Sequence, residues 1–279
     1  MKDFKLGIQL YSVRDDMEKD MEGTLKALSE MGYEVVEFAG YFGKSAKEVK
    51  ALLDKYNLEC VSVHQNINIF DEQGQAAVDY QKEIGVKYSV IPSYPIEKLY
   101  GGDTWEETKE RFTKMSNLLK NSGIELYYHN HDYEFKKVNG EFIHDHIFSE
   151  LGLDIIKPQI DTCWVHYAGY NPVDSINKYA GKVNILHLKD FICKNLAGGA
   201  VYDLIDNEGK VQERDKNTRE EHGFEFKPVG YGIQKFPEII EAAKKAGIKY
   251  LIIEQDKHTE NTAMEDAKLS IDYLKSIGL

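Results

Sequence analysis

Cysteine and arginine are scarce in this chain, and each scarcity excludes a class of function. Its 279 residues hold three cysteines, Cys60, Cys163 and Cys193, in no CxxC or paired spacing. That argues against a disulfide framework and against a cysteine zinc site, so a reducing cytoplasm is the expected location. Arginine occurs only at Arg14, Arg111, Arg214 and Arg219, which leaves few bidentate clamps for phosphate. Long apolar runs are missing too. No 18-residue stretch suits a membrane span, and "MKDFKLGIQLYS" runs straight into a strand-like segment with nothing that reads as a signal peptide. The formal charge of −12 repels nucleic-acid phosphates and anionic membranes, so neither is expected as a partner.

What is present is a chain able to bury a large core, 42% hydrophobic and 11% aromatic. One pattern recurs: a helix-like segment, a turn with Gly, then a short run rich in Val, Ile or Tyr. It appears as "SEMGYEVVEF", "EIGVKYSVIP", "KNSGIELYYH", "ELGLDIIKPQID", "YAGKVNILHLKD" and "KKAGIKYLIIEQD", with Asn57 replacing Gly in "KYNLECVSVH". Each Gly or Asn reads as a helix C-cap. The opening "LGIQLYS" brings the candidate strands to eight. The intervening segments space their apolar residues helically, as in Leu25, Leu28 and Met31, or Phe236, Ile239, Ile240 and Ala243. Eight alternating units predict a single (β/α)₈ TIM barrel over residues 1–279. An open doubly wound sheet is the alternative, but no GxGxxG follows the first strand.

In a barrel the reacting groups gather at the C-terminal ends of the strands. Those ends offer Gln9 and Ser12; Glu37; His64 and Gln65; Pro92; His129, His131 and Glu134; Asp161; His187, Lys189 and Asp190; and Glu254, Gln255 and Asp256. A lone His or Asp after a strand is usually a turn residue or a cap; recurrence on separate strands points to a shared metal site. The expected ligands are Glu134, Asp161, His187 and Glu254. With no thiolate, they suit one divalent cation: Mn²⁺, Zn²⁺, Co²⁺, Fe²⁺ or Mg²⁺. Such an ion polarises a carbonyl while a neighbouring proton leaves. Glu134 and Glu254, on strands across the barrel, are the expected proton-transfer pair. Lys189 is expected to hold a substrate hydroxyl or oxyanion.

"LYYHNHDYEF", "QIDTCWVHYAGYNP", "ILHLKDF", "PVGYG" and "LIIEQD", with "VSVHQNI" and the opening segment, together resemble the sugar phosphate isomerase/epimerase proteins of the xylose isomerase-like TIM-barrel superfamily. The resemblance spans essentially the whole chain. It implies one divalent metal, with Asp161, His187 and Glu254 matching three usual ligands, and proton transfer next to a carbonyl through an enediolate. Many relatives end the fifth strand with a Glu ligand in "LEN"; here His129 stands at that place and the nearest carboxylate is Glu134. Either a histidine coordinates or Glu134 folds back, and Glu134 is preferred. His129 is then a catalytic group touching substrate, and His64, His131, Trp164, His166 and Gln9 are expected to bind it.

Sugar isomerase or epimerase is the leading activity. The alternative is a lyase with the same first step, as in inosose dehydratases and enzymes cleaving 3-oxo-glycosides. An endonuclease IV-like nuclease fits poorly, since Trp164 stands where that branch has a His after "DTC". A non-catalytic sugar-binding barrel requires the mouth residues to be idle. Few arginines favour a neutral sugar or sugar derivative as substrate over a phosphorylated one, and pairing into a homo-oligomer through the loops is expected of such barrels. The backbone amides of Gly230 and Gly232 are expected near a substrate oxygen or phosphate. The long segment from Phe191 to Val229 reads as a lid or subunit contact carrying Tyr202, Phe224 and Phe226 to the mouth. His144 and His146 read as solvated or capping groups at a helix start.

Overall fold

A computed structural model describes residues 3–100, 102–194, 196 and 218–279. Eight parallel strands form a closed ring: β1 (Lys5–Gln9), β2 (Val35–Ala39), β3 (Glu59–His64), β4 (Tyr88–Ile91), β5 (Glu125–His129), β6 (Lys157–Asp161), β7 (Ile185–Leu188) and β8 (Tyr250–Ile253). β1 pairs with β2 on one side and β8 on the other, and this closure excludes the open doubly wound sheet.

The ring is buried on both faces, which is why strands such as "ILHL" and "YLII" lack polar alternation. Helices spanning Met21–Met31, Ala46–Lys55, Gly102–Lys120 and Phe236–Ala246 wrap it. The expected C-caps form at Gly32, Gly85 and Gly247; Asn57 (φ 54°) and Gly181 instead lie beyond the cap residues, Tyr56 and Tyr179. Among the described residues no helix is long and apolar enough to cross a membrane.

Two irregularities position the mouth. The β2–β3 register shifts between Val36 and Glu37, which pair with Cys60 and Ser62, so Val61 is an extra residue. Bulges of this kind re-aim side chains near sites. Beyond β7, Asp190–Ile192 pairs antiparallel with Glu225–Lys227. This ribbon brings Phe224 and Phe226 onto Trp164, at ring separations of 5.6 and 5.7 Å. Phe224 and Phe226 thus form a wall behind the mouth, while Tyr202 lies outside the described residues.

Candidate metal and active site

His129 ends β5, Asp161 ends β6, His187 sits one residue before the end of β7, and Glu254 directly follows β8. All four are buried, and one ligand atom from each lies within 4.8 Å of the others. His129 Nε2 is 3.7 Å from Asp161 Oδ2 and 3.9 Å from Glu254 Oε2. His187 Nδ1 is 2.9 Å from Glu254 Oε2.

The donor set is two carboxylates and two imidazoles. Asp161 shows that it fits a cation. Its Oδ1 accepts from the amides of Cys163 and Trp164, capping the helix that begins at Thr162. Its Oδ2 is buried without a hydrogen-bond partner; the Lys189 ammonium 3.3 Å away makes an ion pair outside hydrogen-bond geometry. The ammonium supplies charge there but no hydrogen bond, so this buried oxygen keeps an accepting site to offer a cation.

The close packing of these groups shifts their titration, and His187 would have to give up a proton to bind a cation. Burial pushes the Asp161 carboxyl up, against the pull of Lys189. Burial would also raise Glu254, but Lys189 and His187 override it and hold the carboxyl well below its ordinary range. His187 is raised to about 10, burial being outweighed by Glu37 and Glu254. Burial lowers His129 well below the ordinary imidazole value and lowers His131 to about 3.

Lys189 is 1% exposed, which rules out a surface lysine. Its Nζ lies 2.8 Å from Glu254 and 3.3 Å from Asp256, and 5.1 Å from the Trp164 ring centroid. A cavity of about 640 Å³ opens over the group, lined among others by Tyr11, His64, Ile69, Pro92, His131 and Asp256. His129, Lys189 and Glu254 reach it as well.

Several expected residues sit elsewhere. Glu134, the preferred fifth-strand ligand and half of the proton-transfer pair, is outside the ligand group. Its Oε1 accepts from Tyr128 Oη and its Oε2 from the His131 amide, each at 2.7 Å, so it braces the turn, while His129 is the fifth-strand residue that stands in the four-residue group. Gln9 is fully buried, donating to Glu37 and accepting from the Tyr11 amide, and it does not line the cavity. Trp164 is 1% exposed and backs Lys189 and His131 from behind the cavity. His166 lines a separate cavity of about 300 Å³, with its Nδ1 2.8 Å from Gln234 Oε1. The amides of Gly230 and Gly232 are taken by Asp190 Oδ2 at 3.0 and 2.8 Å, so they do not serve a substrate oxygen. His144 is buried against Phe135 rather than solvated.

Glu37 and Gln159 have no role readable from sequence, yet both are fully buried beside the imidazoles. Glu37 Oε1 lies 2.7 Å from His187 Nε2 and 2.9 Å from His64 Nε2. Gln159 Oε1 lies 2.9 Å from His129 Nδ1. The one signal is for Glu37, a polar residue inside the otherwise apolar "VVEF".

The model of the xylose isomerase-like TIM barrel family matches residues 25–277. An inosose dehydratase of Mesomycoplasma hyopneumoniae is 26% identical, over 99% of this chain and 97% of the relative. Among solved structures, a sugar phosphate isomerase/epimerase from Parabacteroides distasonis superposes with a TM-score of 0.76 at 24% identity, covering 100% of this chain and 96% of that one. The IolI protein, solved with a zinc atom, gives a TM-score of 0.67 at 14% identity, covering 98% of each chain. These last two are likenesses of fold. With the closed ring and the family match over most of its length, the chain belongs to the xylose isomerase-like TIM barrel family.

Proposed function

We propose that this protein is a divalent-metal-dependent lyase that removes a proton next to the carbonyl of an oxidised cyclitol or sugar and expels the β-hydroxyl or β-alkoxyl group. The carrying observation is the buried group of His129, Asp161, His187 and Glu254, in which Asp161 Oδ2 has no hydrogen-bond partner and His129 and Glu254 line the cavity. These four residues would hold the ion, which when bound supplies Lewis-acid polarisation of the carbonyl. The inosose dehydratase relative supports elimination. The position of Glu134 weighs against the expected two-glutamate epimerase, because only Glu254 of that pair lines the cavity.

The remaining chemistry belongs to side chains. His64 lines the cavity with its Nε2 beside two acceptors, Glu37 Oε1 and Gln159 Oε1, so Nδ1 is the nitrogen with a free lone pair. A base with a carboxylate orienter behind it is suited to taking a carbon-bound proton. The electron pair left on carbon forms the double bond as the C–O bond at the β carbon breaks. His64 then returns the proton to the departing oxygen, releasing water or an alcohol. Lys189, held in its charged form by Asp256, Glu254 and Asp161 against the cost of burial, neutralises charge developing on substrate oxygen.

The test is incubation of the Mn²⁺-, Co²⁺- or Zn²⁺-loaded protein with an inosose and with 3-oxo-glycosides in D₂O. An unsaturated ketone with release of water or aglycone supports elimination. Deuterium wash-in with an intact skeleton and a sugar isomer as product would replace it with isomerisation, and no exchange with any candidate would remove both.

A further inference from the structure

We propose that Glu37 and Gln159 form a polar platform that fixes which nitrogen of His64 and His129 carries the proton and anchors His187 through its Nε2, so that His129 Nε2 faces the carboxylates of Asp161 and Glu254 as a metal-binding lone pair. The function assigned to the platform rests on the metal reading of the site; its geometry does not.

Donors and acceptors alternate along the platform. An ionised carboxylate only accepts. Glu37 Oε1 receives Gln9 Nε2 at 2.8 Å, His187 Nε2 at 2.7 Å and His64 Nε2 at 2.9 Å. Its Oε2 receives Gln159 Nε2 at 2.7 Å. Against a carboxylate the Gln159 amide must present its NH₂, which turns its oxygen to His129 Nδ1 at 2.9 Å and His64 Nε2 at 2.8 Å. Both imidazoles therefore donate to it. His129 carries hydrogen on Nδ1 and keeps a lone pair on Nε2, the nitrogen nearest Asp161 and Glu254. His187 lies between two accepting carboxylates, Glu37 at Nε2 and Glu254 at Nδ1, so both nitrogens donate in the metal-free protein and the Nδ1 proton is the one a cation would displace. Metal-bound histidines generally have their second nitrogen anchored in this way.

The platform makes an unusual prediction for an isosteric change. In Glu37→Gln the new amide keeps its oxygen toward the three donors rather than the one. Its NH₂ then meets the NH₂ of Gln159, which must rotate and present NH₂ to His129 Nδ1. His129 is forced to accept there and to carry hydrogen on Nε2, so a ligand is lost through a residue that never touches the ion. The double variant Glu37→Gln/Gln159→Glu exchanges carboxylate and amide, restores every donor to an acceptor and preserves net charge.

The experiment measures Zn²⁺ affinity of the full chain by competition with a chromophoric chelator, and imidazole tautomers by ¹⁵N NMR of histidine-labelled, metal-free protein. His129 is the reporter, because His187 lies between two carboxylates. Wild type should show His129 as the Nδ1–H form. Glu37→Gln should invert it and weaken Zn²⁺ binding about 10–100-fold, and the double variant should recover most of both. An Nε2–H form of His129 in wild type overturns the proposal even if no variant folds. So does a folded Glu37→Gln protein with an unchanged tautomer and affinity, or a folded double variant no better than the single. Failure of wild type to bind Zn²⁺, with the tautomers as stated, overturns the metal reading and the metal-presenting role while leaving the platform standing.

Discussion

Tyr128 Oη donates to Glu134 Oε1 at 2.7 Å in an environment closed to solvent. Together with the His131 amide it holds Glu134 as a brace for the turn that carries His131 into the cavity. Burial raises this carboxyl to about 8, against the lowering effect of Tyr128 and the His131 amide.

Raised this far, the carboxyl sets a pH dependence of stability. The folded pKa lies above the ordinary value of 4.5, so the fold binds the proton more tightly than the unfolded chain. The stabilisation is complete below about pH 4.5 and is lost as pH rises through about 8. Glu134→Gln removes the titrating group. Urea unfolding at pH 5 and pH 9 should show the wild type losing roughly 4 kcal/mol relative to the variant, since each tenfold difference in proton affinity is worth about 1.4 kcal/mol. Equal losses in both proteins would show that Glu134 is ionised throughout.

Asp161→Asn separates the two jobs of one side chain. The amide oxygen still accepts from Cys163 and Trp164, so the helix cap survives. At the Oδ2 position an NH₂ replaces a charged acceptor in the ligand group. Thermal melting should change little, while Zn²⁺ or Mn²⁺ affinity should fall on the order of 100-fold. Chelator treatment of the wild type should abolish turnover, and added metal should restore it. Undiminished metal binding by Asp161→Asn would remove this residue from the ligand set.

The barrel was legible because each strand after the first follows a helical segment and a turn residue, such as Gly85 before β4 and Asn57 before β3. Asp161, His187 and Glu254 were legible for a related reason: strand ends in a closed ring converge wherever they fall in sequence. The choice between His129 and Glu134 was not. It depends on a short turn over Tyr133–Phe135 and on a hydroxyl, Tyr128 Oη, that no spacing rule places. Gly230 and Gly232 misled similarly, since only the fold brings Asp190 beneath their amides. Glu37 stood among the strand ends with no role, because the imidazoles it contacts come from β3 and β7.

The Asp190 anchor can be broken from the glycine side. A Cβ on Gly232 would lie 2.3 Å from Asp190 Oδ1 and 2.3 Å from the Phe191 carbonyl oxygen, and Asp190 is held in place by the amides of Phe191, Gly230, Gly232 and Gln234. Gly232→Ala should cost about 1–3 kcal/mol as overpacking, read as a drop of a few degrees in melting temperature. Because Asp190 adjoins Lys189, turnover should fall further than this loss of stability explains. An unchanged melting temperature would mean that the loop from Val229 to Gln234 relaxes freely.

His64 offers the sharpest division between holding an ion and moving a proton. It lies beside the platform, lines the cavity and stands close enough to His129 and His187 to form a second metal-capable group with them, but it is outside the four-residue group that contains Asp161 and Glu254. His64→Gln keeps a side chain that can still donate toward Glu37 and Gln159 while removing the imidazole base. Loss of a general base typically costs 10²–10⁴-fold. The variant should therefore bind metal with near-normal affinity yet lose at least about 100-fold in kcat, with deuterium exchange into the substrate falling in parallel. Exchange at the wild-type rate would assign proton removal to another group lining the cavity, with Asp256 and His131 the next to test.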